Sequence, residues 1–111
     1  MANVKDDKYY IEKIVTDLQF IINNIGRKSL EEFESDELLI DSMLFRLIQI
    51  AENNEKLSVK FRNDNKNIPW KDIKGMRNKI VHDYGVIDLS LVYSTLKNSV
   101  PELLNHLKKF I

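Results

Sequence analysis

Three residues in one short stretch are of types that move protons and hold phosphate charge: Arg77, Asn78 and His82. A helix turns about 100° per residue, so Asn78 and His82, four apart, share a face. Arg77 lies about 140° round from His82, and its side chain is long enough to reach back towards the same groove. One imidazole can move protons near neutral pH, and one guanidinium can hold the charge that grows on phosphate oxygens. Between Lys66 and His82 stand Lys66, Lys71, Lys74, Arg77 and Lys79 against the single acid Asp72. That predicts a local basic surface that a phosphate-bearing partner prefers, with Lys74 and Lys79 as steering cations. A solvated helix face accounts for the same charges and stays open beside it.

Other chemistries are narrowed by what is missing from the stretch. No acidic pair flanks His82 as a Mg²⁺ site requires, and no second His stands at metal spacing. The nucleophile turn Gly-x-Ser-x-Gly does not occur. The other histidine, His106, lies among Leu103, Leu107 and Lys108 and reads as a surface or boundary residue. No metal and no cofactor are expected.

The stretch must be helical to bring these groups together. Pro69 suits a first turn and Gly85 a helix end, and between them Ile73, Met76, Ile80 and Tyr84 recur at three- and four-residue steps. Trp70 reads as packing at the helix start, and Glu52 as a buried partner for a cation.

The remaining sequence predicts the scaffold. The 111 residues bound one domain, 1–111, with 43% hydrophobic and 31% charged content, ordinary for a globular chain. Seventeen basic and seventeen acidic residues cancel, so the molecule as a whole exerts no net pull on nucleic acid or anionic membrane. There is no cysteine, hence no disulfide, thiolate nucleophile or Cys-based zinc site. Met1 to Lys8 is polar with no apolar run after it, and no stretch approaches a membrane span. The expectation is a cytoplasmic protein without a membrane partner.

In chain order, Ile11, Ile14, Val15, Leu18, Ile21, Ile22 and Ile25 predict a long first helix begun by Asp6 and Asp7 and stopped at Gly26. Ser29 with Glu32 has capping-box spacing, and Ser35 or Asp36 caps a second long helix. Its stripe is expected to run through Leu39, Met43, Leu47, Ile50, Leu57 and Phe61, with Asn54 where an apolar residue would fall. Asn63 to Asn67 reads as a polar linker. After the Arg77–His82 helix, Asp88 begins another, and Pro101 starts or kinks a last one. Apolar stripes with short connections imply an all-α, antiparallel up-and-down bundle of four to five helices.

With the elements placed, the stretch Arg77-Asn78-Lys79-Ile80-Val81-His82-Asp83-Tyr84 resembles the Arg-x4-His-x-Tyr motif of the HEPN superfamily, in its HepT-like branch. Phe45-Arg46-Leu47-Ile48-Gln49-Ile50-Ala51-Glu52 is similar to that branch's second-helix segment. Ile68-Pro69-Trp70, Gly75-Met76-Arg77 and Val86-Ile87-Asp88 are also similar to it. The resemblance covers roughly Leu44 to the C-terminus; Ala51 departs from it where relatives often carry Gly. It implies a homodimeric helical bundle whose two Arg-x4-His segments line one cleft. It also implies a metal-independent ribonuclease toxin partnered by a minimal nucleotidyltransferase antitoxin that adds AMP to the Tyr of the motif, here Tyr84.

On that basis His82 and Arg77 are the expected catalytic residues of RNA transesterification. Asn78 orients the imidazole or contacts phosphate, and the last helical turn favours the imidazolium. From spacing alone, Tyr84 is also readable as the last apolar-stripe residue. An alternative of a different class is a non-catalytic binding subunit that presents Tyr84 to a nucleotidyltransferase; a dimer that binds nucleotides without cleavage is a third.

Overall fold

The computed structural model describes residues 6–111, so the expectations drawn from Met1 to Lys5 lie outside it. The first helix, α1 (Asp7–Ile25), buries Ile11, Ile14, Leu18, Ile21 and Ile25 at helical spacing. Asp6 caps it by accepting the Tyr9 N–H at 3.1 Å. Gly26 ends it at φ +47°, a conformation an L side chain rarely adopts, and its N–H bonds the Ile22 carbonyl at 3.1 Å.

Ser29 and Glu32 exchange the two bonds of a capping box, 3.1 and 2.9 Å, at the start of α2 (Leu30–Glu34), which buries Phe33. Asp36, not Ser35, caps α3 (Glu37–Glu55) by accepting the Leu39 N–H at 3.0 Å.

Two expectations about boundaries are corrected. The second long helix does not run on to Phe61: α3 ends at Glu55, and α4 (Val59–Asp64) starts afresh with Ser58 as its cap. The reason is distant in sequence. Asp7 accepts both the Ser58 N–H (2.7 Å) and its hydroxyl (2.6 Å), pinning the turn to the start of α1. The polar linker is correspondingly shorter, since Asn63 and Asp64 belong to α4. Asn65 is buried, and its backbone carbonyl accepts the Trp70 indole N–H at 3.1 Å. Pro101 stands in the first turn of the last helix, as expected. From α6 (Leu89–Ser94), capped by Asp88 as expected, the chain continues through a π turn, 95–99, into α7 (Val100–Leu107). An α turn would press the proline ring on the Lys97 carbonyl; the wider π turn before it relieves that crowding.

The helix carrying the candidate residues is α5 (Trp70–Asp83). The core lies where α1 packs on α3 and α7 and where α5 packs on α3. Side-chain ties give the directions. Asp7 meets Ser58 and Asp17 meets Arg46, so α1 and α3 run antiparallel. Arg77 meets Glu52 and Tyr84 meets Asp41, so α3 and α5 do too. The result is the expected all-α antiparallel bundle. Among the described residues no helix is long and apolar enough to cross a membrane.

Candidate active site

On α5, Ile80 is fully buried, and Ile73 and Met76 are half-buried against the same core. Tyr84 departs from this stripe: it is 52% exposed in the short 3-10 turn after the helix. Anchored through Ile80, α5 turns Arg77 and Asn78 towards α3, while Lys74, Lys79 and His82 stand exposed.

Arg77 is the best-fixed of the candidates. Its Nε donates to Glu52 Oε1 at 3.0 Å, and its Nη1 donates to Asn78 Oδ1 at 3.1 Å. Two contacts at different edges of the planar guanidinium set its orientation and leave the remaining N–H groups without an acceptor among the described residues. Glu52 is the acid expected to meet a cation, and the cation is Arg77, but the pair is half-exposed, not buried. A groove of about 220 Å³ opens between α3 and α5, lined by Ala51, Glu52, Glu55, Lys74, Arg77 and Asn78. It is wide enough for a phosphate group beside the guanidinium.

The structure joins Asn78 to Arg77 through its carbonyl oxygen, so that oxygen is not what holds His82. His82 occupies the last turn of α5, exposed and hydrogen-bonded to no described residue. The charge pattern is also less one-sided than the sequence implies. Glu52 pairs with Arg77, and Glu55 lies 3.4 Å from Lys74. Lys66, Lys71 and Lys79 remain as exposed cations with no carboxylate within 4.0 Å among the described residues.

Asp41 is a residue of this face that sequence reasoning did not single out. Its carboxylate accepts the Tyr84 hydroxyl proton, and that hydrogen bond holds the phenol above its ordinary pKa of 10.0. A signal was present: Asp41 and Glu52 are eleven residues apart, about three helical turns, and so lie on one face of α3. Arg46 lies on the same helix, α3. It pairs with the nearly buried Asp17 at 2.7 Å and lies over the Phe20 ring at 3.8 Å, tying α1 to α3.

His106 is a boundary residue, as expected. Its Nδ1 meets Asn67 Nδ2 at 3.2 Å, and its Nε2 lies 4.0 Å from Glu102.

Comparison with known proteins bears on this arrangement. The family model described as Ribonuclease HepT-like matches residues 10–110. The chain is 30% identical to a candidate RNase of Caldanaerobacter subterraneus subsp. tengcongensis, covering 97% of this chain and 96% of that one. It is 29% identical to another of Methanocaldococcus jannaschii, over 96% of this chain and 92% of that protein. A protein of Thermococcus cleftensis named probable ribonuclease HepT is 25% identical over 95% of this chain and 96% of its own length. No solved structure matches. A match spanning nearly every described helix, with Arg77, Asn78 and His82 inside it, shows that the chain belongs to the HepT-like ribonuclease family.

Proposed function

We propose that this chain is a metal-independent endoribonuclease that cleaves RNA by attack of the 2′-hydroxyl on the adjacent phosphodiester, and that it acts as the toxin beside a minimal nucleotidyltransferase antitoxin. The observation that carries the chemistry is the asymmetry of the pair. Arg77 is held on two edges by Glu52 and Asn78, as a fixed charge stabiliser should be, whereas His82 stands five residues on, exposed, with its imidazole bonded to no described residue. Family membership supplies the substrate class.

In the step proposed, His82 takes the 2′-hydroxyl proton, O2′ bonds to phosphorus, and the bond from phosphorus to O5′ breaks as O5′ receives a proton. Arg77 stabilises the charge on the non-bridging oxygens, and a 2′,3′-cyclic phosphate remains. Base and acid are both needed, and each chain supplies one exposed histidine on this face. A homodimer with its two-fold axis near α5 provides both. Exposed apolar residues support that surface: Leu38 (84%), Phe45 (56%) and Val86 (85%) accompany Val81 around the motif. Leu38 and Phe45, seven apart, share the face of α3 that also carries Asp41 and Glu52. Lys74 and Lys79 steer RNA in this scheme.

Tyr84 is the proposed adenylylation site. The residue is half-exposed, and its hydroxyl donates to Asp41. Transfer of AMP would remove the donated proton and set a phosphodiester charge beside that carboxylate, loosening the link between the end of α5 and α3 by repulsion. The added bulk would also occupy the RNA path.

The mechanism is tested with an RNA carrying a single 2′-deoxy nucleotide 5′ to the cut. The substitution is expected to abolish cleavage at that position only, and intact products are expected to end in cyclic phosphate. Cleavage at the deoxy site would refute attack by the 2′-hydroxyl.

A further inference from the structure

On the inner side of α5, away from the Arg77 groove, lies a larger cavity of about 370 Å³. Nothing in the proposed reaction uses it. Its floor is apolar, built from Leu18, Leu47, Ile50, Met76 and Leu103, which belong to α1, α3, α5 and α7. The π turn before Pro101 forms one wall through Thr95 and Ser99. π turns inside α-helices are rare and frequently lie at functional sites.

The mouth has a definite charge. Asp72 and Glu102 supply two carboxylates, and among the described residues no Lys or Arg lines the cavity. His106 also lines the cavity. Its Nδ1 lies 3.2 Å from Asn67 Nδ2 and its Nε2 4.0 Å from Glu102 Oε1. Asp72 forms no ion pair with any described residue. The volume falls in the range of small-molecule sites, roughly 300–1,000 Å³, and the division into apolar floor and polar rim is typical of them.

We infer that this cavity is a binding site for a small apolar cation, an aryl- or alkylammonium whose hydrocarbon part rests on Met76 and Leu103 and whose charge lies between Asp72 and Glu102. Size and apolar floor call for one ring or a short chain, and two carboxylates with no Lys or Arg among the described lining residues select the sign. The site does not depend on the ribonuclease reading, although Met76 precedes Arg77 on α5 and an occupant would touch the helix that carries the motif.

The test uses protein with methyl-labelled methionines and reads the Met76 methyl resonance by NMR, with buried Met43 as internal reference. The probes are 2-phenylethylammonium, neutral 2-phenylethanol and anionic phenylacetate, three ligands of one shape and different charge. The cation is expected to move the Met76 signal saturably, and the alcohol to bind roughly fivefold more weakly. Phenylacetate should leave it unmoved. The surface variant Asp72→Asn/Glu102→Gln should reduce the cation's affinity to that of the alcohol. Absence of a saturable shift with the cation, equal affinities for the three probes, or an unchanged affinity in the double variant would each overturn the assignment. Because the readout is binding, its failure and a failure to cleave RNA are separate results.

Discussion

Replacing Arg77 by Lys keeps the positive charge and removes the fork, which makes it a sharper probe than truncation. In the native site Nε is committed to Glu52 at 3.0 Å and Nη1 to Asn78 at 3.1 Å, and the other guanidinium N–H groups are left for phosphate. A lysine ammonium at this position is one compact centre; held by Glu52, it cannot also reach across the groove. Losing a preorganised donor to a developing oxyanion costs about 10²–10³ in rate, or about 2.7–4 kcal/mol. The effect on stability is much smaller, because the Arg77–Glu52 pair is half-exposed and such pairs contribute about 0.5–1 kcal/mol after solvent screening. Lysine retains part of that. Arg77→Lys should therefore lower kcat by about 10²–10³ with KM changed less than about tenfold, while Tm falls by under about 4 °C. The assay is cleavage of a quenched fluorescent RNA, run beside a thermal melt of the same preparation. A variant within about threefold of wild-type kcat would show that charge alone suffices and refute the argument from fixed geometry.

The other predictions concern groups the structure holds in specific states. Tyr84 ionises above the ordinary tyrosine value because its proton is donated to Asp41. The stability from that bond is complete below pH 10 and is lost as pH rises through the raised value. Ultraviolet titration, differenced against Tyr84→Phe, should show Asp41→Asn returning the phenol towards 10.0; no change would mean that Asp41 is not the cause. Glu32 is held below its usual 4.5 mainly by the bond from the Ser29 backbone N–H, so its contribution is present above that value and lost as pH falls through the lowered one. Glu32→Gln should flatten the acid limb of the stability curve, and an unchanged limb would contradict the capping box. Asn54 is buried with neither amide atom hydrogen-bonded to a described residue. Asn54→Leu should raise the urea-unfolding free energy by about 1 kcal/mol, whereas a loss of that size would reveal a buried water serving the amide.

Much of the scaffold is local and was therefore readable. Asp6, Ser29 and Asp88 cap their helices because an oxygen-bearing side chain stands at the right offset from N–H groups that lack helical partners. The buried positions of α1 follow from a period that needs no tertiary information. The errors came where a distant residue decides. Leu57 continues the spacing of α3 and is buried as a stripe residue should be, yet Asp7 captures Ser58 from 51 residues away and splits the helix. Pro101 carried a correct warning about local geometry, but the strain is absorbed by a π turn upstream of it.

The site divides in the same way. Residue types and spacing along one helix marked Arg77, Asn78 and His82. The acids that shape the groove come from α3, so the predicted basic surface is in fact interleaved with Glu52 and Glu55. Tyr84 has the spacing of a core residue and the exposure of a surface one, because the backbone tightens into a 3-10 turn immediately after Asp83 and carries the ring out to Asp41. Spacing cannot report such a change of turn.

The central claim is that Arg77 and His82 form an RNA-cleaving centre that needs no metal. The most direct measurement is cleavage of tRNA, mRNA and rRNA by the purified protein in EDTA, with Arg77→Ala and His82→Ala prepared alongside and their folding checked by circular dichroism. Wild type is expected to cut in EDTA, and each variant to lose at least about a hundredfold in rate while remaining helical. Cleavage that appears only with added divalent metal, or that survives His82→Ala, would contradict the mechanism. Failure to cut any of the three RNAs would leave a binding subunit, with Tyr84 as the residue it presents.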